Sequence, residues 1–244
     1  MAGRSGAAAI VIGDEILSGK IRDSNGPYLI DKLRGVGMPL GRILTVGDDL
    51  DEIAWAINSC RGTFRPLFTS GGIGPTHDDL TVAGVARALG REVIRHPEIE
   101  AAIRSHYGDA MKEEALRLAN VPEGAVLVRS PRSWYPVIAV EEIFLLPGVP
   151  ELFRMHVDGL VERYRGDPFY LRCVYLGVGE TEVAAVLDRI AREHPAVALG
   201  SYPRLDDADH RVKLTLEAQV EAPVEAALAA LLALLPVEIV LRIE

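Results

Sequence analysis

Fully apolar runs alternate with segments of helical period along the first two thirds of the chain. Residues 7–12, Ala-Ala-Ala-Ile-Val-Ile, carry no polar side chain, as expected of a strand covered on both faces of a parallel sheet. Leu29, Leu33 and Val36 then recur at helical spacing, with Asp23 or Ser24 placed to cap the segment and Gly37 to stop it. A strand over 42–46, a helix over 50–60, a strand over 66–69 and a helix over 80–89 follow. This β-α-β-α-β-α order predicts a mostly parallel sheet with helices on both faces. Residues 97–118 read as helical, broken or bent at Gly108. Residues 125–128 read as a short strand, and 137–141 with 143–146 as a hairpin turning at Glu141-Glu142. A helix over 151–164 follows, with Pro150 at its entry.

Arg165-Gly166-Asp167-Pro168 reads as a linker, because the order of elements changes after it. Residues 169–176 alternate, 180–193 have a helical face, 197–201 form a strand, and 211–220 alternate strictly. An alanine- and leucine-rich helix over 223–235 and a strand over 238–243 complete β-α-β-β-α-β, the ferredoxin-like order. Gly200-Ser201-Tyr202-Pro203-Arg204 falls at the central turn of this reading. The fold class is therefore α/β for a first domain over residues 1–166, plus a small α+β domain over 167–244.

Composition narrows the partners. Lys and Arg total 26 against 35 Asp and Glu, a formal net charge of −9 in 244 residues, which speaks against nucleic acid as a partner. The apolar run at 7–12 is too short to cross a membrane and ends in Asp14-Glu15. Two cysteines, Cys60 and Cys173, far apart and without metal-ligand spacing, predict a reduced, cytoplasmic protein without disulfide or zinc.

The candidate chemistry centres on Leu67-Phe68-Thr69-Ser70-Gly71-Gly72-Ile73-Gly74-Pro75-Thr76-His77-Asp78-Asp79. It reads as a buried strand, a glycine-rich turn and a helix start, the arrangement that holds a phosphate. The two aspartates would repel that phosphate unless a divalent cation stood between them. No lysine follows the glycines, so this is not the nucleotide P-loop. A tight turn with Asp78 as a plain helix cap satisfies the same residues. Two further strand ends carry acids, Asp14 with Glu15 and Asp48 with Asp49. All three pairs fall at carboxyl ends of strands, where α/β sheets bind ligands. The loop containing Arg129, Arg132, Trp134 and Tyr135 offers phosphate-pairing and stacking groups, or a locally packed surface loop.

Three motifs carry a resemblance. Gly13-Asp14-Glu15-Ile16-Leu17 with Gly19, Asp23 and Asn25, the glycine stretch 71–79, and Leu146-Pro147-Gly148-Val149-Pro150-Glu151 are similar to the molybdopterin-binding-like domain of the competence/damage-inducible protein A (CinA) family. They resemble most the version at the N-terminus of eukaryotic FAD synthases. Leu199 to Pro203 and Val212 to Leu216 resemble the second domain of the same proteins. The resemblance implies a three-layer molybdopterin-binding-like fold and a metal-dependent nucleotide pyrophosphatase that releases AMP from ADP-ribose or FAD-like dinucleotides. The alternative it carries is a molybdopterin-binding protein without turnover. It further implies a homo-oligomer, a dimer. Asp79 and Asp48 correspond to acids of the relatives.

The expected site follows. Asp48, Asp79, Glu15 and Asp14 are the candidate catalytic residues, and Asp79, Asp78 and Asp48 the candidate ligands of Mg, Mn or Co. Ser70, Gly71, Gly72, Gly74 and Thr76, with Pro147 and Gly148, are the candidate phosphate- or nucleotide-binding set. The ligand is a small-molecule dinucleotide or a pterin phosphate. Ser133-Trp134-Tyr135-Pro136 departs from the Gly-Thr-Ala-Pro-Gly of many bacterial members, which leaves substrate preference open at that edge. The amide hydrolase domain of full-length CinA proteins and the adenylyltransferase domain of FAD synthases are not in these residues, so neither deamidation nor FAD synthesis is expected.

Overall fold

A computed structural model describes residues 6–204 and 209–244; the first five residues of the expected first domain lie outside the described residues. The chain divides into two compact units at Gly166 and Asp167.

The first unit runs β1 (Ala7–Ile12), a single helical turn α1 (Asp14–Leu17), α2 (Asn25–Gly35), β2 (Leu40–Val46), α3 (Leu50–Arg61), β3 (Leu67–Ser70), α4 (Thr81–Leu89), β4 (Val93–Arg95), α5 (Pro97–Tyr107), β5 (Asn120–Pro122), β6 (Val126–Val128), β7 (Val137–Val140), β8 (Ile143–Leu146) and α6 (Pro150–Leu160). The six-stranded sheet has the order β2-β1-β3-β8-β7-β6. Its first four strands are parallel, with β1 in register against both β2 and β3, and β3 against β8. The β8–β7–β6 end is antiparallel.

Every residue of β1, β3, β7 and β8 is buried, which explains the continuous apolar runs of β1, β7 and β8. Alternate side chains feed two cores. Ile10, Leu67 and Leu145 pack with Ile53 and Ile57 of α3 on one face. Ala9, Phe68 and Phe144 pack with Leu33 of α2 and Phe153 of α6 on the other. The Phe68 and Phe144 rings stack across the β3–β8 pair at 5.5 Å. Each such buried side chain contributes about 2 kcal/mol. The β7–β8 turn places both Glu141 (φ 50°) and Glu142 (φ 64°) in the left-handed region, the geometry of a two-residue type I′ hairpin.

The helix over 97–118 stops at Tyr107, with Gly108 at φ 51° as its end, and residues 113–119 continue as a 3-10 stretch. The paired strands β4 and β5 are absent from the periodicity reading; Val93, Ile94 and Arg95 are all exposed, so no burial pattern marks them.

The second unit runs β9 (Tyr170–Leu176), α7 (Glu180–Glu193), β10 (Ala198–Pro203), β11 (Val212–Ala218), α8 (Glu221–Leu234) and β12 (Val240–Ile243). Its antiparallel sheet has the order β10-β11-β9-β12, the ferredoxin-like arrangement around its own core of Val174, Leu214 and Leu231. Gly200 to Pro203 are not a turn: they pair with Thr215 to Val212 of β11. Pro203 is tolerated because β10 is an edge strand. Cys60 and Cys173 are buried free thiols. No helix among the described residues is long and apolar enough to cross a membrane.

Candidate functional site

The strand order creates the site. The chain leaves β1 for β2 on one side and returns to β3 on the other, so the connections diverge between β1 and β3. A crevice at such a switch point, beyond the carboxyl ends of the strands, is where α/β sheets take ligands. Four loops meet there: Gly13 to Leu17 after β1, Gly47 to Asp49 after β2, Gly71 to Asp79 after β3, and Pro147 to Val149 after β8. The first, third and fourth line a cleft of 630 Å³, within the usual range for small-molecule sites, and the β2 loop is tied to the first through Asp14 and Asp48. Glu15, Ser70, Pro147 and Gly148 line it, and Gly71, Gly72, Gly74 and Asp79 form one wall. Asp14, Asp48, Asp78 and Thr76 stand outside this lining.

Glycine is required at two of these positions. Gly71 (φ 104°) and Gly72 (φ 64°) are left-handed, and a Cβ on Gly71 would run into the Ile12 carbonyl. The loop is tied down from inside. The Gly71 N–H donates to Leu146 O at 3.1 Å, the Thr81 N–H to Gly72 O at 2.9 Å, and the Thr81 hydroxyl to Gly71 O at 2.8 Å. The helix therefore starts at Thr81 rather than at the aspartates, and the loop itself takes up the Thr81 N–H. The expectation of a helix N-terminus opened by Asp78 and Asp79 is corrected on that point.

Asp79 is spent on the same loop. One carboxylate oxygen accepts from the Gly74 N–H at 2.6 Å; the other accepts from the Thr76 N–H at 2.7 Å and the Thr76 hydroxyl at 2.5 Å. These bonds commit the Gly71 and Gly74 N–H groups and the Thr76 hydroxyl, so they do not donate to a phosphate in this arrangement. Asp49 caps α3, accepting from Asp51 N at 2.8 Å and Glu52 N at 3.0 Å.

Asp14 and Asp48 hold the β1 and β2 loops to each other through their own backbone N–H groups. Burial pushes the Asp48 carboxyl above the usual carboxylate range; the Asp14 N–H opposes this, and the charges of Glu15, Asp14 and Asp78 add to the rise. Acids from three loops thus share one field. Among the described residues no three His, Cys, Asp or Glu side chains converge as a ready-made metal site. The donors are carboxylate oxygens, the chemistry that suits hard divalent cations, and a cation beside them would relieve the repulsion at Asp48.

Two buried polar side chains in the cleft were not among the expected site residues. Asn25, 4% exposed, opens α2. Its Nδ2 donates to Ser70 Oγ and to Gly148 O, each at 2.9 Å, and so joins the β3 and β8 loops. Its Oδ1 is buried without a partner. Because Asn25 occupies an acceptor site on Ser70 Oγ, the Ser70 hydroxyl keeps its own proton to donate. His156 on α6, also 4% exposed, has an unpartnered Nδ1, and burial lowers its pKa. Asn25 falls in the first motif, but its place there carries no sign of contacts reaching across to the other two loops.

Residues 8–165 match the family profile described as a probable molybdopterin binding domain, and residues 168–244 match the FAD synthase middle domain. A solved structure of the protein CinA, of unknown function, from Thermoplasma acidophilum is 30% identical with a TM-score of 0.60, covering 66% of this chain and 99% of that one. A protein of Archaeoglobus fulgidus is 31% identical over 80% of this chain and 84% of its own length. A probable FAD synthase of Caenorhabditis elegans is 31% identical over 88% of this chain, but the match spans only 47% of that protein, about half its length. The chain belongs to the molybdopterin-binding domain family of CinA type, joined to an FAD synthase middle domain.

Proposed function

We propose that the chain is a divalent-metal-dependent nucleotide pyrophosphatase, splitting the diphosphate of ADP-ribose or an FAD-like dinucleotide to release AMP. The observation that carries this reading is the cleft itself: a rigid glycine loop forms one wall and the Asp14, Glu15 and Asp48 loops stand beside it. The similarity to probable FAD synthases adds the substrate class. A homo-oligomer, a dimer, in the reducing cytoplasm goes with this reading.

In this mechanism the Ser70 hydroxyl donates to a phosphate oxygen, while Gly71 and Gly72 let the diphosphate approach the main chain. Mg, Mn or Co would be held by Asp48 with Glu15 and Asp78. When bound, such an ion supplies charge neutralisation and a bound water of lowered pKa. Glu15, in the cleft lining, accepts the proton of the attacking water. Asp14 keeps Asp48 in place, and Asp79 keeps the loop in shape and joins the metal set only if it gives up a loop bond. Positioning and charge do most of the catalytic work, as in phosphoryl transfer generally.

A second reading follows from the family profile: pterin-phosphate binding without turnover. Purified protein incubated with ADP-ribose or FAD, with and without Mg²⁺, Mn²⁺ or Co²⁺, separates the two by chromatography. AMP released only with metal supports hydrolysis. No AMP from either substrate, with molybdopterin binding in a titration, supports the carrier.

A further inference from the structure

Away from the glycine loop the cleft is bounded by aromatic rings. Trp134 stacks on His106 with centroids 4.0 Å apart and planes at 10°. Tyr107 meets Trp134 edge-on at 6.1 Å, and Tyr135 does so at 5.6 Å. The turn that carries Trp134 is braced. Ser133 Oγ donates to Tyr135 O at 2.8 Å and accepts from Tyr135 N at 3.2 Å, and the Tyr135 hydroxyl donates to Leu118 O at 2.7 Å. With one face against His106, Trp134 is still 41% exposed, and it lines the cleft. A large aromatic ring held rigid and left uncovered is a preorganised contact surface.

The polar groups of the same cleft restrict what the ring receives. Asn25 Nδ2 faces the Gly148 carbonyl, which only accepts, so Oδ1 is fixed as an acceptor, buried beneath the cleft floor. His156 Nδ1 takes either role according to tautomer. A sugar phosphate has donors but no flat face. A heterocycle carried on a phosphorylated sugar satisfies the ring and the phosphate loop together.

We propose that Trp134, backed by His106, is the stacking wall for the planar heterocycle of a nucleotide-like ligand whose phosphate lies at the Gly71–Gly74 loop. The inference rests on the reading of the cleft as a nucleotide site and adds the element that selects for the base.

The chain has two tryptophans, and Trp55, on α3, lies outside the cleft lining. Trp55→Phe therefore leaves Trp134 as the only indole reporter. FMN, AMP and ribose 5-phosphate are titrated into this variant, following Trp134 fluorescence, with calorimetry for affinity. FMN and AMP should quench Trp134, and ribose 5-phosphate should not. Trp134→Ala should weaken FMN and AMP by roughly 5- to 100-fold, the loss of one base–aromatic stack, and leave ribose 5-phosphate within about twofold. His106→Ala, with Trp134 in place, should give a smaller loss of the same kind. Equal loss for all three ligands would reduce Trp134 to a loop-holding residue. No loss for FMN and AMP, or failure of both to bind the parent protein, overturns the proposal. Binding with the expected pattern but no AMP release from dinucleotides would overturn the hydrolase reading alone.

Discussion

The backbone N–H of Asp14 donates to the Asp48 carboxylate at 2.9 Å, and the backbone N–H of Asp48 donates to the Asp14 carboxylate at 3.3 Å. This reciprocal pair clips the β1 loop to the β2 loop, and it uses two acids whose charges repel. Geometry holds the carboxylates together against their electrostatics. Such an arrangement is retained at a cost in stability, which makes charge the quantity to vary.

Asp48→Asn keeps an oxygen for the Asp14 N–H and removes the charge. AMP release should fall by roughly 100-fold, while the melting temperature holds or rises. The sign follows from the raised pKa: the folded state keeps the proton longer than the unfolded chain, so this stability contribution is present at low pH and lost as pH rises through the carboxylate range. A variant with full turnover would remove the Asp48 charge from the chemistry.

Asp79→Asn places an amide where one oxygen now takes two donors from Thr76. Charge-assisted bonds are lost and a donor faces a donor, so the loop should loosen at a cost of about 2 kcal/mol. Calorimetric melting should show this loss together with a fall in AMP release. Loss of activity at an unchanged melting temperature would instead make Asp79 a group that works on the substrate.

His156 is buried and its pKa is lowered by that burial. The unfolded chain therefore binds the proton first. Stability should fall as pH drops from about 6.5 towards the lowered folded value, and be whole above about 6.5. His156→Gln should lose less stability than the parent between pH 7.5 and 5.5 in urea titrations. Equal losses would show that His156 is not the group responsible.

Glu142 sits at φ 64° in the β7–β8 turn, where a residue with a Cβ costs about 1 kcal/mol. Glu142→Gly should recover about 0.5 kcal/mol after the gain in unfolded-chain entropy, raising the melting temperature by about 1 °C. Glu141 is better kept, because it pairs with Arg91. A lower melting temperature would mean that the 3.5 Å contact of Glu142 with the Tyr164 hydroxyl outweighs the backbone strain.

The sheet was legible because β1, β7 and β8 are covered on both faces and carry unbroken apolar runs, and β3 opens on Leu67 and Phe68. The acids were legible as a group because strand ends can be read from the same runs. What each acid does was harder. The part Asp79 plays in the loop was within reach, since Thr76 lies only three residues away and Asp side chains take nearby N–H groups. Asn25 was not, because its partners lie 45 and 123 residues along the chain. The β4–β5 pair was missed for a different reason: both strands are three residues long, they lie far apart in the chain, and β4 is exposed throughout.

The placing of β1 inside the sheet has a consequence for synthesis. Its neighbours β2 and β3 leave the ribosome soon after it, but the other edge of β3 stays unpaired until β8, whose first residue is Ile143. For several seconds at usual elongation rates a strand that the finished sheet buries entirely presents an open edge, the form most prone to mispairing. The interval between residues 70 and 143 is therefore when the nascent chain most needs shielding. The cleft is complete only once His156 has emerged, so the growing protein acquires this site after it has passed its most vulnerable stage.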